Sequence, residues 1–251
     1  MALPQTLCPL LRVKLHHPNP RHLAPLQTRR TFLPNPFSSS NPLEAISAAS
    51  KKPQTLTATR TLPYASHPIY AIISDVPSYS SFLPYCQSSS VTRWSAPDFK
   101  YHRKWPSEAK LVVGFKGFTE EFTSRIFCVP GSIVESVGGG ARTGLDEASI
   151  RHHVEGEGGL SRGSEEDDAT AGLLTHLQSR WTLAPLAEDK TEVSLTLEYA
   201  FANPMYTTLS AGAAPKVAES MIKAFEDRVR TLLDNNPDMA KAELGQIHVR
   251  S

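Results

Sequence analysis

The stretch AKLVVGFKGFTEEFTSRIFCV, residues 109–129, decides the fold. Leu111, Val113 and Phe115 share one face of an extended chain, and Lys110, Val112 and Gly114 share the other. After Lys116-Gly117 the alternation resumes. Phe118, Phe122 and Ile126 then lie on the apolar side, with Thr119, Glu121, Thr123 and Arg125 on the polar side. Period-two alternation marks strands of a sheet with one buried and one wet face. The buried face is built of large residues that suit an apolar guest or a core and poorly suit proton transfer. Only Glu120 breaks it: it has inward parity and either stands at a cavity mouth, pairs with Arg125 or Lys116, or marks a bulge after Gly117.

Working outward, residues 54–64 (QTLTATRTLPY) read as a Thr-rich strand with Leu56, Ala58 and Leu62 on one side. Ser66 is placed to cap a short helix over 67–75, with Ile69, Ile72 and Ile73 at helical spacing, and residues 78–83 form a second short helix before Pro84. Strand signals follow at 88–94, within 109–129 and at 133–137. Residues 138–170 are poor in large apolar side chains and hold three successive glycines and the run Glu165-Glu166-Asp167-Asp168, so they read as a disordered insertion. No phosphate-binding glycine motif is present there, and its acids would repel phosphate.

Strands resume with Leu177, Trp181 and Leu183 pointing one way, then Val193, Leu195, Leu197, Tyr199 and Phe201 alternating with Ser194, Thr196 and Glu198. Asn203-Pro204 opens a helical region that Pro215 restarts or kinks. Its predicted inward stripe is Val217, Met221, Ala224, Phe225, Val229 and Leu232. Residues 236–251 read as a flexible tail. The element order predicts an α+β, helix-grip fold: a curved antiparallel sheet wrapped around a long C-terminal helix, with two short helices after the first strand.

The formal net charge of +1 hides an asymmetry. Residues 1–60 hold eight Lys and Arg against Glu44, a balance of +7, so the remainder carries about −6. That body is unsuited to nucleic acid. The basic, Ser- and Pro-rich residues 1–53 read as a mitochondrial transit peptide and linker. Cys8, Cys86 and Cys128 form an odd set without C-x-x-C spacing, which points away from a disulfide framework or a zinc site. No apolar run approaches the roughly 20 residues of a spanning helix.

The blocks RTLPY (60–64), YAIISDV (70–76), FLPYC (82–86), LVVGF (111–115), FTSR (122–125), LQSRWTL (177–183), YAF (199–201) and AFEDR (224–228) occur in this order. Together they resemble the mitochondrial coenzyme Q-binding protein family of the START-like, polyketide cyclase-like superfamily, over about residues 54–235. The resemblance implies a hydrophobic tunnel for ubiquinone and no catalytic cofactor. It also implies peripheral attachment at the matrix side of the mitochondrial inner membrane, and support of respiration and ubiquinone biosynthesis, with respiratory or biosynthetic complexes as partners. The 138–170 insertion departs from the compact family pattern.

The expected tunnel lining is Phe82, Leu111, Val113, Phe115, Phe118, Phe122, Trp181, Leu183, Leu195, Leu197, Tyr199, Met221 and Phe225; ordinary core packing is the competing reading for each. Trp181 and Tyr199 pair an apolar body with a donor that could reach a quinone carbonyl. Met205, Tyr206 and Leu209 read as a lid touching the membrane. Cys86 reads as a small buried hydrophobe, His176 as solvated, and the pair His152-His153 as lacking a second ligand cluster for metal. Against the binding protein stand a cyclase- or aromatase-like enzyme on an apolar ring and a ligand-free assembly factor. The enzyme would need an acid or base drawn from Tyr199, Glu120, Tyr85 or Cys86.

Overall fold

A computed structural model describes residues 53–115, 118–155, 173–203, 205–206 and 212–247. In chain order the elements are β1 (Gln54–Leu62), α1 (Ser66–Ser74), a 3-10 turn (Val76–Ser81), β2 (Cys86–Trp94), β3 (Pro106–Phe115), β4 (Phe118–Val129) and β5 (Ile133–Gly139). Then come α2 (Arg151–Val154), β6 (Leu174–Ala187), β7 (Lys190–Phe201), α3 (Ala214–Asp234), α4 (Pro237–Lys241) and a last 3-10 turn (Leu244–Gln246). The seven strands form one antiparallel sheet in the order β1-β7-β6-β5-β4-β3-β2. The sheet holds α3 against one face, so the helix-grip fold expected from the element order is the one observed. No helix of the described residues is long and apolar enough to cross a membrane.

Strand parity sorts the inner face as expected. Ala109, Ile126, Cys128, Val134, Trp181, Leu183, Val193 and Leu195 turn inward and join Ile69, Tyr70, Ile72 and Ile73 of α1 in the main core. The α3 seam is Ala214, Ala218, Ile222, Phe225, Val229 and Leu233. Of the predicted stripe, Phe225 and Val229 lie on this seam. Val217, Met221, Ala224 and Leu232 flank it, because the apolar arc is wide and the sheet takes its centre. At α1 the cap position is Ala65, without a side-chain cap, and Ser66 is the first helical residue. Pro215 falls in the first turn of α3, where its missing N–H leaves no helical bond unmade.

Two expectations are corrected. Residues 138–155 are structured: Gly138 and Gly139 end β5, and the chain then straps across the outer face of the sheet. There Ala141, Leu145 and Ile150 cover Phe127, Val129 and Val137 in a second core. Glu135, also outward, is fully buried beneath it and accepts hydrogen bonds from Gln178 Nε2 (2.6 Å), Arg180 Nε (2.8 Å) and the Thr143 hydroxyl. A few well-placed apolar residues and the Thr143 bond to the buried Glu135 order a segment whose composition looked too polar to fold. The rest of the expected insertion, from residue 156, lies outside the described residues.

The tail is the second correction. Leu244 and Ile247 are buried in the main core, and Arg103 Nη1 donates to their carbonyls at 2.7 and 2.9 Å. The His67 ring meets Glu243 at 2.7 Å. The domain therefore runs past residue 235 to at least Ile247.

Candidate functional site

The inner face of the sheet divides into two halves. At the end where β2 leads into β3 and α3 finishes, the side chains are fully packed: Trp105, Tyr70, Leu195, Ile222 and Leu233 are each under 2 % or so exposed. Trp181 lies against Phe225 there, ring centroids 4.8 Å apart. Towards the β3–β4 hairpin tip the side chains of the same inward parity are only half-buried: Leu111, Val113, Phe122, Leu177, Leu197 and, from α3, Met221. At this end, the open end of the inner face, the apolar side chains are only partly covered by their neighbours.

Small residues occupy the middle. Ser136 stands opposite Ile126 on one side and Ser179 on the other. A Cβ on Gly138 would come within 3.0 Å of Ser124 Oγ. Ser136 and Ser179 are half-buried at inward parity. Sequence reasoning missed these residues; the available signal was a row of small side chains at inward parity among large ones.

Of the thirteen residues expected to line the tunnel, Leu111, Val113, Phe122, Leu197 and Met221 belong to this half-buried set, and Leu111 and Met221 pack against the main core. Phe82 packs beside it, its ring edge-on to Tyr79 at 5.8 Å and under the Arg228 guanidinium at 5.7 Å. Trp181, Leu183, Leu195 and Phe225 are buried in the main core. Tyr199 is 6 % exposed and its hydroxyl donates to Gln54 Oε1 at 2.6 Å, so this donor already has an acceptor. Phe115 and Phe118 pair across the hairpin tip through their backbones; their side chains lie outside the described residues. Of the expected lid, Met205 is 67 % exposed, and Leu209 lies outside the described residues.

Glu120 stands opposite Val113 in an unbroken register, which removes the bulge alternative. It lies inward at the open end, and its Oε1 accepts the Leu173 N–H, fastening the start of β6 to the rim. Burial pushes the Cys86 thiol up and carries Cys128 up to about 12, so both stay protonated at neutral pH. His176 is not plainly solvated: its side chain is 21 % exposed, with Nε2 3.9 Å from Glu198. His152 and His153 are buried in the second core, where His153 Nε2 accepts the Cys128 N–H at 2.8 Å. Among the described residues no group of three or more His, Cys, Asp or Glu could hold a metal ion.

A seven-stranded antiparallel sheet that grips a long C-terminal helix defines a protein of the helix-grip class. The chain belongs to the polyketide cyclase/dehydrase and lipid transport family, whose model matches residues 62–226. It is similar to a mitochondrial coenzyme Q-binding protein of Schizosaccharomyces pombe, with 28% identity over 69% of this chain and 85% of that protein. The counterpart from Eremothecium gossypii is also 28% identical, over 80% of this chain and 79% of that protein. A ribosome association toxin of Pseudomonas aeruginosa is 25% identical over 68% of this chain and 92% of that protein. Among solved structures, a START superfamily protein from Mycobacterium smegmatis aligns at TM-score 0.47 and 18% identity, covering 71% of this chain and 98% of that one.

Proposed function

We propose that this chain binds ubiquinone in the opening between the sheet and α3, without catalysing a reaction on it. In this reading it carries or presents the quinone at the matrix side of the mitochondrial inner membrane, supporting respiratory electron transport and ubiquinone biosynthesis. The observation that carries the reading is the half-buried apolar set Leu111, Val113, Phe122, Leu197 and Met221 beside the packed main core. Each isoprene unit enclosed there contributes roughly 3–4 kcal/mol at ~0.8 kcal/mol per CH2, before ordering costs. The Ser136 and Ser179 hydroxyls offer donors to the ring oxygens, a role that Tyr199, bonded to Gln54, is less free to take. The similarity to mitochondrial coenzyme Q-binding proteins and the basic residues 1–60 support both ligand and compartment.

The test is extraction of purified protein into organic solvent, with mass spectrometry of the lipids recovered. Wild type should yield a quinone, and Phe122→Glu should yield almost none while keeping its circular dichroism. Trp181→Glu is a poorer probe, since Trp181 is 4 % exposed in the main core and its replacement endangers the fold. A full quinone load in folded Phe122→Glu, or no quinone in wild type, would overturn the reading.

A further inference from the structure

Three of the large hydrophobic side chains exposed among the described residues gather along one edge of the molecule. Tyr85 (38 % exposed) precedes β2, Trp94 (53 %) ends it, and Phe99 (96 %) follows in the loop to β3. β2 is the last strand of the sheet, so these rings border its open edge. The loop is firmly built. The Asp98 carboxylate accepts the N–H groups of Lys100, Tyr101 and Arg103 and the indole N–H of Trp105, and the Ser95 N–H donates to the Trp105 carbonyl at 2.8 Å. Phe99 is therefore held out in water by a saturated turn.

The surroundings are cationic. Residues 85–110 contain Arg93, Lys100, Arg103, Lys104 and Lys110 against Asp98 and Glu108; Arg103 is turned onto the Leu244 and Ile247 carbonyls and Lys110 pairs with Glu121 at 2.7 Å, which leaves Arg93, Lys100 and Lys104 exposed along the edge. Asp98 is consumed inside its turn, and Glu108 accepts from Thr92 at 2.6 Å and lies 3.8 Å from Arg93. Separate aromatic rings on a basic edge match a bilayer interface, where rings seat at headgroup level and lysines meet phosphates. A protein-binding patch would ask for a centre depleted of charge.

We infer that the β2 edge, through Trp94 and Phe99 with their flanking Lys and Arg, docks this protein on an anionic phospholipid surface. The inference deepens the reading above by naming the face that meets the membrane. Tyr85 adjoins Cys86, which pairs with Val113 at the open end, whereas Trp94, opposite Pro106, and Phe99 stand at the packed end, so the rings run the length of β2 and docking lays this strand along the surface.

Trp94 makes a selective probe. The chain has three tryptophans, and the other two, Trp105 and Trp181, are 1 % and 4 % exposed. The full chain is mixed with phosphatidylglycerol–phosphatidylcholine vesicles that carry spin-labelled lipid, and the same preparation is extracted for quinone. Trp94 emission should shift to the blue and be quenched, Trp94→Tyr should lose this signal, and added salt should weaken it. Phe99→Ser, which removes a side chain that packs on nothing, should lower partitioning about fivefold or more with the fold unchanged. Absence of vesicle binding, bound protein with unquenched Trp94, or unchanged partitioning of Phe99→Ser would each overturn the inference. Docking through Trp94 by a chain that yields no quinone would instead defeat the quinone reading alone.

Discussion

Acidification should loosen the strap of residues 141–155 from the outer face of the sheet, and His153 sets the size of the effect. Its ring is 7 % exposed, with Nε2 accepting the Cys128 N–H and Nδ1 2.6 Å from Ser107 Oγ. Burial first, and the neighbouring His152 second, push its pKa down to about 3 from an ordinary 6.5. The unfolded chain therefore binds a proton below 6.5 that the folded chain refuses, and stability falls as pH drops from 6.5 towards 3, then levels off. Linkage places the loss at roughly 2 kcal/mol by about pH 5 and roughly 4–5 kcal/mol once both states are protonated. His152, also lowered by burial, acts with the same sign. Urea unfolding at about pH 7.5 and about pH 5 should show this loss in wild type. His153→Gln keeps an acceptor but cannot titrate in this range, so it should be weaker at neutral pH and lose roughly 2 kcal/mol less on acidification. Equal pH dependence in the two proteins would refute the role assigned to His153.

Glu135→Ala should cost about 1–3 kcal/mol, since it removes the acceptor shared by Arg180, Gln178 and the strap's Thr143; a thermal midpoint within a degree or two of wild type would contradict this. Arg103→Met removes the donor to the Leu244 and Ile247 carbonyls, so limited proteolysis should cut the tail about tenfold faster, with the sheet intact. Leu233→Ala should destabilise by about 2–5 kcal/mol while folded protein keeps its quinone, because Leu233 belongs to the packed half; proportionate loss of ligand would move it into the site.

Alternation made the sheet legible in the sequence. Phe118–Val129 reads as a strand to the residue, and the inward parity of Leu111, Phe122, Trp181 and Leu195 follows from it. Parity says which face a side chain takes but not how far its neighbours cover it, so Trp181 in the main core and Leu197 at the open end looked alike. The strap and the tail were illegible for a different reason. Their order comes from single long-range contacts, Thr143 with Glu135 and His153 with the Cys128 N–H in the strap and Arg103 with two distant carbonyls in the tail, which leave no periodic trace. His153 is the sharpest case. The sequence places it in a glycine-rich insertion expected to be disordered, yet its ring caps the Cys128 N–H just beyond the Glu108–Arg125 pair at which the β3–β4 ladder begins.

The second core also bears on how the opening could admit a long apolar tail. Around Phe127, Val137 and Glu135 the sheet is covered on both faces, by α1 and the main core inside and by the strap outside. Towards the β3–β4 tip the inner residues Val113 and Phe122 are half-exposed, and the outer residues Thr119, Glu121 and Thr123 are exposed. Segments with few buried apolar contacts open at lower free energy than doubly covered ones. The tip end should therefore widen around a ligand while the strapped end holds register, so entry of a tail does not require the whole sheet to yield. Native-state hydrogen exchange should show the amides of residues 111–113 and 120–122 opening well below the global unfolding free energy, and those of 126–128 and 134–137 opening close to it. Quinone loading should raise protection in the first group selectively. Uniform protection along β4, or protection gained mainly at 126–128, would place the ligand elsewhere in the fold.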